Sequence, residues 1–150
     1  METAFLIHSS QYILSSLRSY EGKRTFYMQS NWVVDDLPKG VFGNVSFDNI
    51  YIQYTSLVAV DPSALLSSMD RLDQLTISQS SLTDFPFNVL AQMSRLKTLD
   101  LAQNALVSVP AFESLVLENL RLSNNQIKEL ESGWSLPGLQ ILDISKCDHA

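Results

Sequence analysis

Apolar residues recur with one spacing in five separate stretches of the chain. Two residues separate the first apolar position of each stretch from the second, and one residue separates the second from the third. The members are Phe47, Ile50 and Ile52; Leu72, Leu75 and Ile77; Leu96, Leu99 and Leu101; Leu117, Leu120 and Leu122; and Leu139, Leu142 and Ile144. Repetition at a fixed period predicts a stack of equivalent structural units.

A second set of positions repeats in phase with the first. Three places after the last apolar residue come Thr55, Ser80, Asn104, Asn125 and Cys147, and four of these are followed two places later by Leu57, Leu82, Leu106 and Ile127. The second apolar positions are separated by 25, 24, 21 and 22 residues, within the range of about 20–29 residues typical of leucine-rich repeats. A weaker copy, 24 residues before Ile50, comprises Phe26, Met28, Asn31 and Val33 and is followed by Leu37-Pro38.

These residues resemble the leucine-rich repeat superfamily, which implies an α/β solenoid with a curved parallel sheet on its concave side. Short helices, 3₁₀ turns or irregular segments are expected on the convex side. Asp61 before Pro62 favours a helix start, and residues 88–93 also predict one or two helical turns. We expect about five to six repeats over residues 23–150, with the leucines forming a continuous core and the asparagines bonding to the backbone of neighbouring units.

Residues 1–22 do not fit the repeat. Tyr12, Ile13, Leu17 and Tyr20 recur at intervals that allow a short amphipathic helix. One interpretation is a cap over the open edge of the first repeat, or a leader. The other is a helix that binds a membrane or a partner.

Outward-facing strand positions define the candidate binding face, because leucine-rich repeat proteins usually bind on the concave side. Tyr27, Tyr51 and Tyr54 cluster near its N-terminal end, and they suit either an interface or an ordinary surface. Asp100, Arg121 and Asp143 alternate in sign, which favours a cross-strand charge ladder and leaves open an anchor at Arg121 for a charged partner group. Gln79 and Gln103 complete the set of predicted partner-binding residues.

Charge and motifs narrow the functional class. The net charge of −6 argues against binding of nucleic acid. No apolar run is long enough to span a membrane, and no cofactor, metal or catalytic constellation is expected.

Cys147 has two interpretations: a buried small residue at the asparagine position, or a reactive thiol with His149 as its base. Asn44-Val45-Ser46 is a glycosylation sequon that matters only if the chain is exported.

The chain also resembles secreted arthropod leucine-rich repeat proteins related to the non-catalytic subunit of crustacean luciferase, on the residues 47–52, 82–87 and 96–101. This resemblance implies an extracellular, non-catalytic role. The N-terminus lacks the features of a secretory signal, and a single cysteine allows a cytoplasmic location equally.

We expect a non-enzymatic module that binds a protein or peptide on its concave face. The alternative is a structural or regulatory subunit that associates through its terminal repeat edge. Since the sequence stops soon after the last repeat strand, we expect either truncation of a longer array or end-to-end self-association.

Overall fold

A computed structural model describes the backbone of residues 2–7, 11–20 and 22–147, and the side chains of residues 22–147. The strands are β1 Glu2–Ile7, β2 Gln11–Tyr20, β3 Lys23–Gln29, β4 Asp36–Leu37, β5 Asn49–Gln53, β6 Ala59–Val60, β7 Gln74–Ser78, β8 Thr98–Asp100, β9 Ser108–Val109, β10 Asn119–Arg121, β11 Glu129–Leu130 and β12 Ile141–Asp143. Helix α1 comprises Pro62–Leu66, and a 3₁₀ helix comprises Phe87–Gln92.

One eight-stranded sheet organises the molecule, in the order β1-β2-β3-β5-β7-β8-β10-β12. From β3 onward all neighbours are parallel. Their register aligns the second apolar position of every repeat, including the weak first copy: Phe26, Ile50, Leu75, Leu99, Leu120 and Leu142. Two small parallel pairs, β4 with β6 and β9 with β11, lie on the opposite side of the coils. The predicted α/β solenoid of leucine-rich repeat type is confirmed.

Residues 11–20 differ from the sequence prediction. The amphipathic helix expected from Tyr12, Ile13, Leu17 and Tyr20 is wrong, because β1 and β2 form an antiparallel pair and β2 continues antiparallel onto β3. An interval of four residues keeps two positions on one face of a strand as well as of a helix, so this apolar spacing does not distinguish the two elements. The open edge of β3 offers backbone partners that a helix would leave unused.

The core follows the repeat. Ile50, Leu75, Leu99 and Leu120 are fully buried, and each lies between its equivalents in the neighbouring coils. Below them, a row of edge- or tilt-packed rings runs from Phe85 through Phe87 and Phe112 to Trp134, with centroid distances of 5.0 to 5.1 Å. In the first coil the predicted buried residue is corrected: Val34 is fully buried, whereas Val33 is 65% exposed.

Buried polar side chains bond neighbouring coils together, as predicted for the asparagine positions. Nδ2 of Asn104 donates to the Ile77 carbonyl of the previous coil (2.7 Å) and to Leu101 (3.0 Å), while its Oδ1 accepts from the Leu82 amide (3.2 Å). In the N-terminal half the Thr55 and Ser80 hydroxyls occupy the same row and bond to each other (2.8 Å). Their other bonds stay within one coil, from the Leu57 amide to Thr55 and from Ser80 to the Ser78 carbonyl. These two residues therefore make fewer bonds between coils than Asn104, in line with the weaker ladder that the sequence predicts there.

The convex side is largely irregular. Asp61 accepts from the Ser63 amide at 2.9 Å and so caps α1, with Pro62 at its first position. The turns predicted over 88–93 form the 3₁₀ helix. The two shortest units have only β9, β11 and an isolated bridge between Glu113 and Ser135, because 21 or 22 residues leave little chain for a helix.

Candidate partner-binding face

Two stacked tyrosines mark the N-terminal half of the concave face. Tyr27 on β3 and Tyr51 on β5 are register neighbours, and their ring centroids lie 5.3 Å apart at an interplanar angle of 21°. The Tyr51 hydroxyl donates to Oε1 of Gln74 on β7 at 2.6 Å. Burial, followed by the charges of Tyr27 and Asp73, raises the pKa of Tyr51, so this hydroxyl remains a hydrogen-bond donor at neutral pH.

A chain of side-chain amides runs parallel to the tyrosine stack. Nε2 of Gln29 donates to Oε1 of Gln53 at 3.1 Å, and Nε2 of Gln53 donates to Oγ of Ser78 at 3.1 Å. Three consecutive strands are thereby connected by side chains on their exposed face. Since each amide is held by its neighbour, a partner meets polar groups that are already oriented.

This half of the face carries no formal charge along its centre. The three central concave positions of β3, β5 and β7 are occupied by Thr25, Tyr27, Gln29, Asn49, Tyr51, Gln53, Gln74, Thr76 and Ser78. Because uncharged amides and hydroxyls both donate and accept, the surface is suited to polar groups without net charge, such as peptide backbone.

Charged groups border the uncharged region at the start of the strands. Oδ2 of Asp48 accepts from Nη2 of Arg71 and from the backbone amide of Arg24, both at 2.7 Å. Burial alone would raise the pKa of Asp48, but these two hydrogen bonds and the Arg71 charge outweigh it and lower the pKa. Asp48 therefore stays ionised and joins three coils, which is a structural role.

The C-terminal half of the face carries the three predicted charged residues. Nη1 of Arg121 lies 3.8 Å from Oδ2 of Asp100, a half-exposed pair of the kind that contributes about 0–1 kcal/mol. Asp143 accepts from the hydroxyl and amide of Ser145 (2.7 and 3.0 Å). These bonds, chiefly the one from the Ser145 hydroxyl, lower the pKa of Asp143. The contacts favour the charge ladder over an anchor at Arg121.

Three predicted binding residues lie at bends beyond the strands and not on them. Each coil places one non-glycine residue in the left-handed region at the bend that follows its strand, with φ between 49° and 56°: Ser30, Tyr54, Gln79, Gln103, Asn124 and Lys146. Tyr54, Gln79 and Gln103 thus line the rim of the face. The structure brings Tyr27 close to Tyr51, and it brings Arg121 close to Asp100. The tyrosine pair and the charged pair lie on different coils.

Sequence reasoning missed the glutamines of this face, both Gln74, which accepts from Tyr51, and the pair Gln29 and Gln53 beside the rings. Gln29, Gln53 and Gln74 were not among the predicted binding residues, although Gln29 and Gln53 share one register row. Their alignment on adjacent strands was the available signal, because long side chains at equivalent positions of a parallel ladder lie close enough to bond.

Cys147 occupies the asparagine position of the last coil. Its Sγ donates to the Leu122 carbonyl at 3.3 Å, as Nδ2 of Asn125 donates to the Leu101 carbonyl one coil earlier. This contact favours the structural interpretation. His149, the only base considered for a reactive thiol, lies outside the described residues.

Among residues 22–147, no cluster of three or more His, Cys, Asp or Glu side chains could hold a metal ion. No helix in the described part of the chain has the length and apolarity to cross a bilayer. Asn44 of the sequon is exposed.

The fold defines the class of protein: a parallel-sheet solenoid of leucine-rich repeat type. No protein-family model and no curated protein matches the sequence. A function is therefore inferred from the surface of this chain itself.

Proposed function

We propose that this protein is a non-enzymatic recognition module that binds another protein or peptide on the N-terminal half of its concave face. The stacked pair Tyr27 and Tyr51, held by the bond to Gln74, carries the proposal. Tyrosine gives a large amphipathic contact at low entropic cost. Because these rings are already fixed, little ordering is needed on binding, which favours affinity.

The amide chain supports the same proposal and indicates the chemistry of the ligand. Gln29, Gln53 and Ser78 present oriented polar groups beside the rings, a mixture of aromatic and polar contacts typical of interfaces. The backbone of an extended peptide offers hydrogen-bond donors and acceptors that can pair with these side-chain amides and hydroxyls. The charged C-terminal half, with Asp100, Arg121 and Asp143, would contribute to orientation more than to affinity.

The first prediction is that Tyr27→Ala and Tyr51→Ala each weaken partner binding. Proteins captured by the wild-type chain are identified and prepared pure, and their affinities for each variant are measured by calorimetry. Loss of a central interface tyrosine is expected to weaken binding by about tenfold or more. Leu115→Ala, at a residue 79% exposed and outside the sheet, is the matched control and should bind normally. Unchanged affinity in both tyrosine variants would refute the proposal.

A second candidate function has one specific observation in its favour. Leu142 is 43% exposed although its equivalents Leu99 and Leu120 are fully buried, and Ile127, Leu130, Ile144 and Cys147 border an adjacent cavity of about 210 Å³. An open sheet edge next to apolar side chains favours association with another chain. The alternative is therefore a structural or regulatory non-catalytic subunit.

Two further proposals agree with such a subunit. One is membership of the leucine-rich repeat superfamily, and the other is a relation to the non-catalytic subunit of crustacean luciferase.

The second prediction tests this alternative. If the terminal edge is an interface between copies, light scattering at high concentration should give a mass above 16.8 kDa, and Ile144→Lys should restore the monomer, because a charge at the edge opposes burial. Lys128→Ala, on the polar side of the same cavity, should leave the mass unchanged. A strictly monomeric wild-type chain would count against end-to-end self-association.

A further inference from the structure

The first coil contains one residue more than the others at one position. In the later coils a single residue separates the asparagine position from the next buried apolar residue, as between Thr55 and Leu57. In the first coil two residues, Trp32 and Val33, separate Asn31 from the buried Val34. The register on the two sides confirms the insertion, since Gln29 pairs with Gln53 before it and Leu37 pairs with Val60 after it.

The inserted residue turns two large apolar side chains outward. Trp32 is 66% exposed and Val33 is 65% exposed. The backbone beneath them is nevertheless well held, because Oδ1 of Asn31 accepts from the amides of Val33 (3.0 Å) and Val34 (3.1 Å). The loop thus presents an indole and an isopropyl group on an ordered support.

The neighbouring coil extends this apolar surface. Ser56 binds both sides of the loop, through its amide to the Asn31 carbonyl (3.3 Å) and through its hydroxyl to the Val34 carbonyl (3.1 Å). On either side of Ser56, Tyr54 is 46% exposed and Val58 is 38% exposed. We call Trp32, Val33, Tyr54 and Val58 the rim patch.

The charge beside the rim patch is negative. Asp36 and Asp61 share a cavity with Lys39, which leaves Asp35 as the carboxylate next to the patch. Asp35 is exposed directly beside Val33 and Val34. A second copy of this chain would bring a second Asp35 carboxylate to a two-fold interface. A cationic partner is favoured instead, because the exposed Trp32 ring also attracts cations.

We propose that the rim patch docks a segment of a partner protein in which arginine or lysine alternates with large apolar side chains. The apolar side chains cover Trp32, Val33 and Val58, and the cation lies between the Trp32 ring and the Asp35 carboxylate. This surface is separate from the stacked tyrosines of the concave face and shares only Tyr54 with the residues predicted there. Its test therefore uses Trp32, Val33 and Asp35.

The third prediction uses Trp32 as its own reporter. The chain has two tryptophans, so Trp134→Phe leaves Trp32 as the only one. Emission is titrated with three peptides of equal length: alternating leucine and arginine, alternating leucine and glutamate, and alternating serine and arginine. The leucine–arginine peptide should shift Trp32 emission to shorter wavelength and bind about tenfold or more tighter than either of the others. Equal binding of the serine–arginine peptide would overturn the proposal, since charge alone would then suffice.

Two variants made in the Trp134→Phe protein separate the apolar contribution of Val33 to peptide binding from the charged contribution of Asp35. Val33→Ser and Asp35→Asn, both at exposed positions where folding is spared, should each weaken the leucine–arginine peptide by about fivefold or more. Val107→Ser, at an apolar residue 48% exposed on a later coil, is the matched control and should bind as before. Equal affinity in the Val33→Ser variant and its parent would overturn the proposal.

Two further outcomes would assign the patch to another occupant and so overturn the proposal. One is an emission shift with neutral phosphatidylcholine vesicles and none with the leucine–arginine peptide. The other is a shift that depends only on protein concentration. Tyr51→Ala should leave the titration of Trp32 emission unchanged. The rim-patch proposal and the concave-face proposal can therefore fail independently of each other.

Discussion

Asn125→Ala is expected to lower the free energy of unfolding by about 2–4 kcal/mol, because buried polar groups left without partners each cost about 1–3 kcal/mol. Nδ2 of Asn125 donates to the carbonyls of Leu101 (2.9 Å) and Leu122 (2.8 Å), and its Oδ1 accepts from the Leu106 amide (3.0 Å). Asn125 is only 4% exposed, so water does not replace these bonds. Urea unfolding followed by circular dichroism measures the loss.

The neighbouring residue provides the control for this variant. Gln126 is exposed, and Gln126→Ala should change the stability by less than about 0.5 kcal/mol. If both alanine variants are equally stable, Asn125 does not support the stack in the way described.

Asn125→Asp adds a test with a defined dependence on pH. The carboxylate keeps an acceptor for the Leu106 amide but faces two carbonyl oxygens, so burial and repulsion raise its pKa in the folded state. The folded state then binds more protons than the unfolded state, and stability falls as pH rises through that pKa. The variant should therefore be more stable relative to the wild-type protein at acidic pH than at neutral pH.

Leu120→Ala is expected to cost about 2–5 kcal/mol, the range for removing a large apolar side chain from a packed core. Leu120 is fully buried between Leu99 and Leu142 in the register of the sheet. The same urea unfolding experiment measures the change.

Leu142→Ala is the matched control, since it removes the same side chain from the equivalent position of the last coil. Leu142 is 43% exposed, so less apolar surface is lost and the expected cost is below about 1.5 kcal/mol. Similar losses in the two variants would mean that Leu142 is as well covered in solution as Leu120. Self-association through the terminal edge, the second candidate function, would produce that result.

Most of the architecture was predictable because the signals are local and repeated. A leucine at the second apolar position faces the core in every coil by the alternation of the strand, and stacking then buries it. The same local reasoning predicts the backbone bonds of Asn104 and Asn125 and the capping of α1 by Asp61. It also predicts the irregular convex side of the two shortest units. Of the candidate site, the cluster of Tyr27 and Tyr51 and the pairing of Asp100 with Arg121 follow from the register of neighbouring strands.

The tertiary structure alone decided the features that depend on contact with another element. The spacing of apolar residues in residues 11–20 fits a helix and a strand equally, and the open edge of β3 selects the strand. The outward position of Trp32 and Val33 depends on how one coil aligns with the next, since a single inserted residue leaves the apolar pattern almost unchanged. The bond from Tyr51 to Gln74 joins residues 23 positions apart that are not register partners, and only the stacked coils bring these two groups within bonding distance.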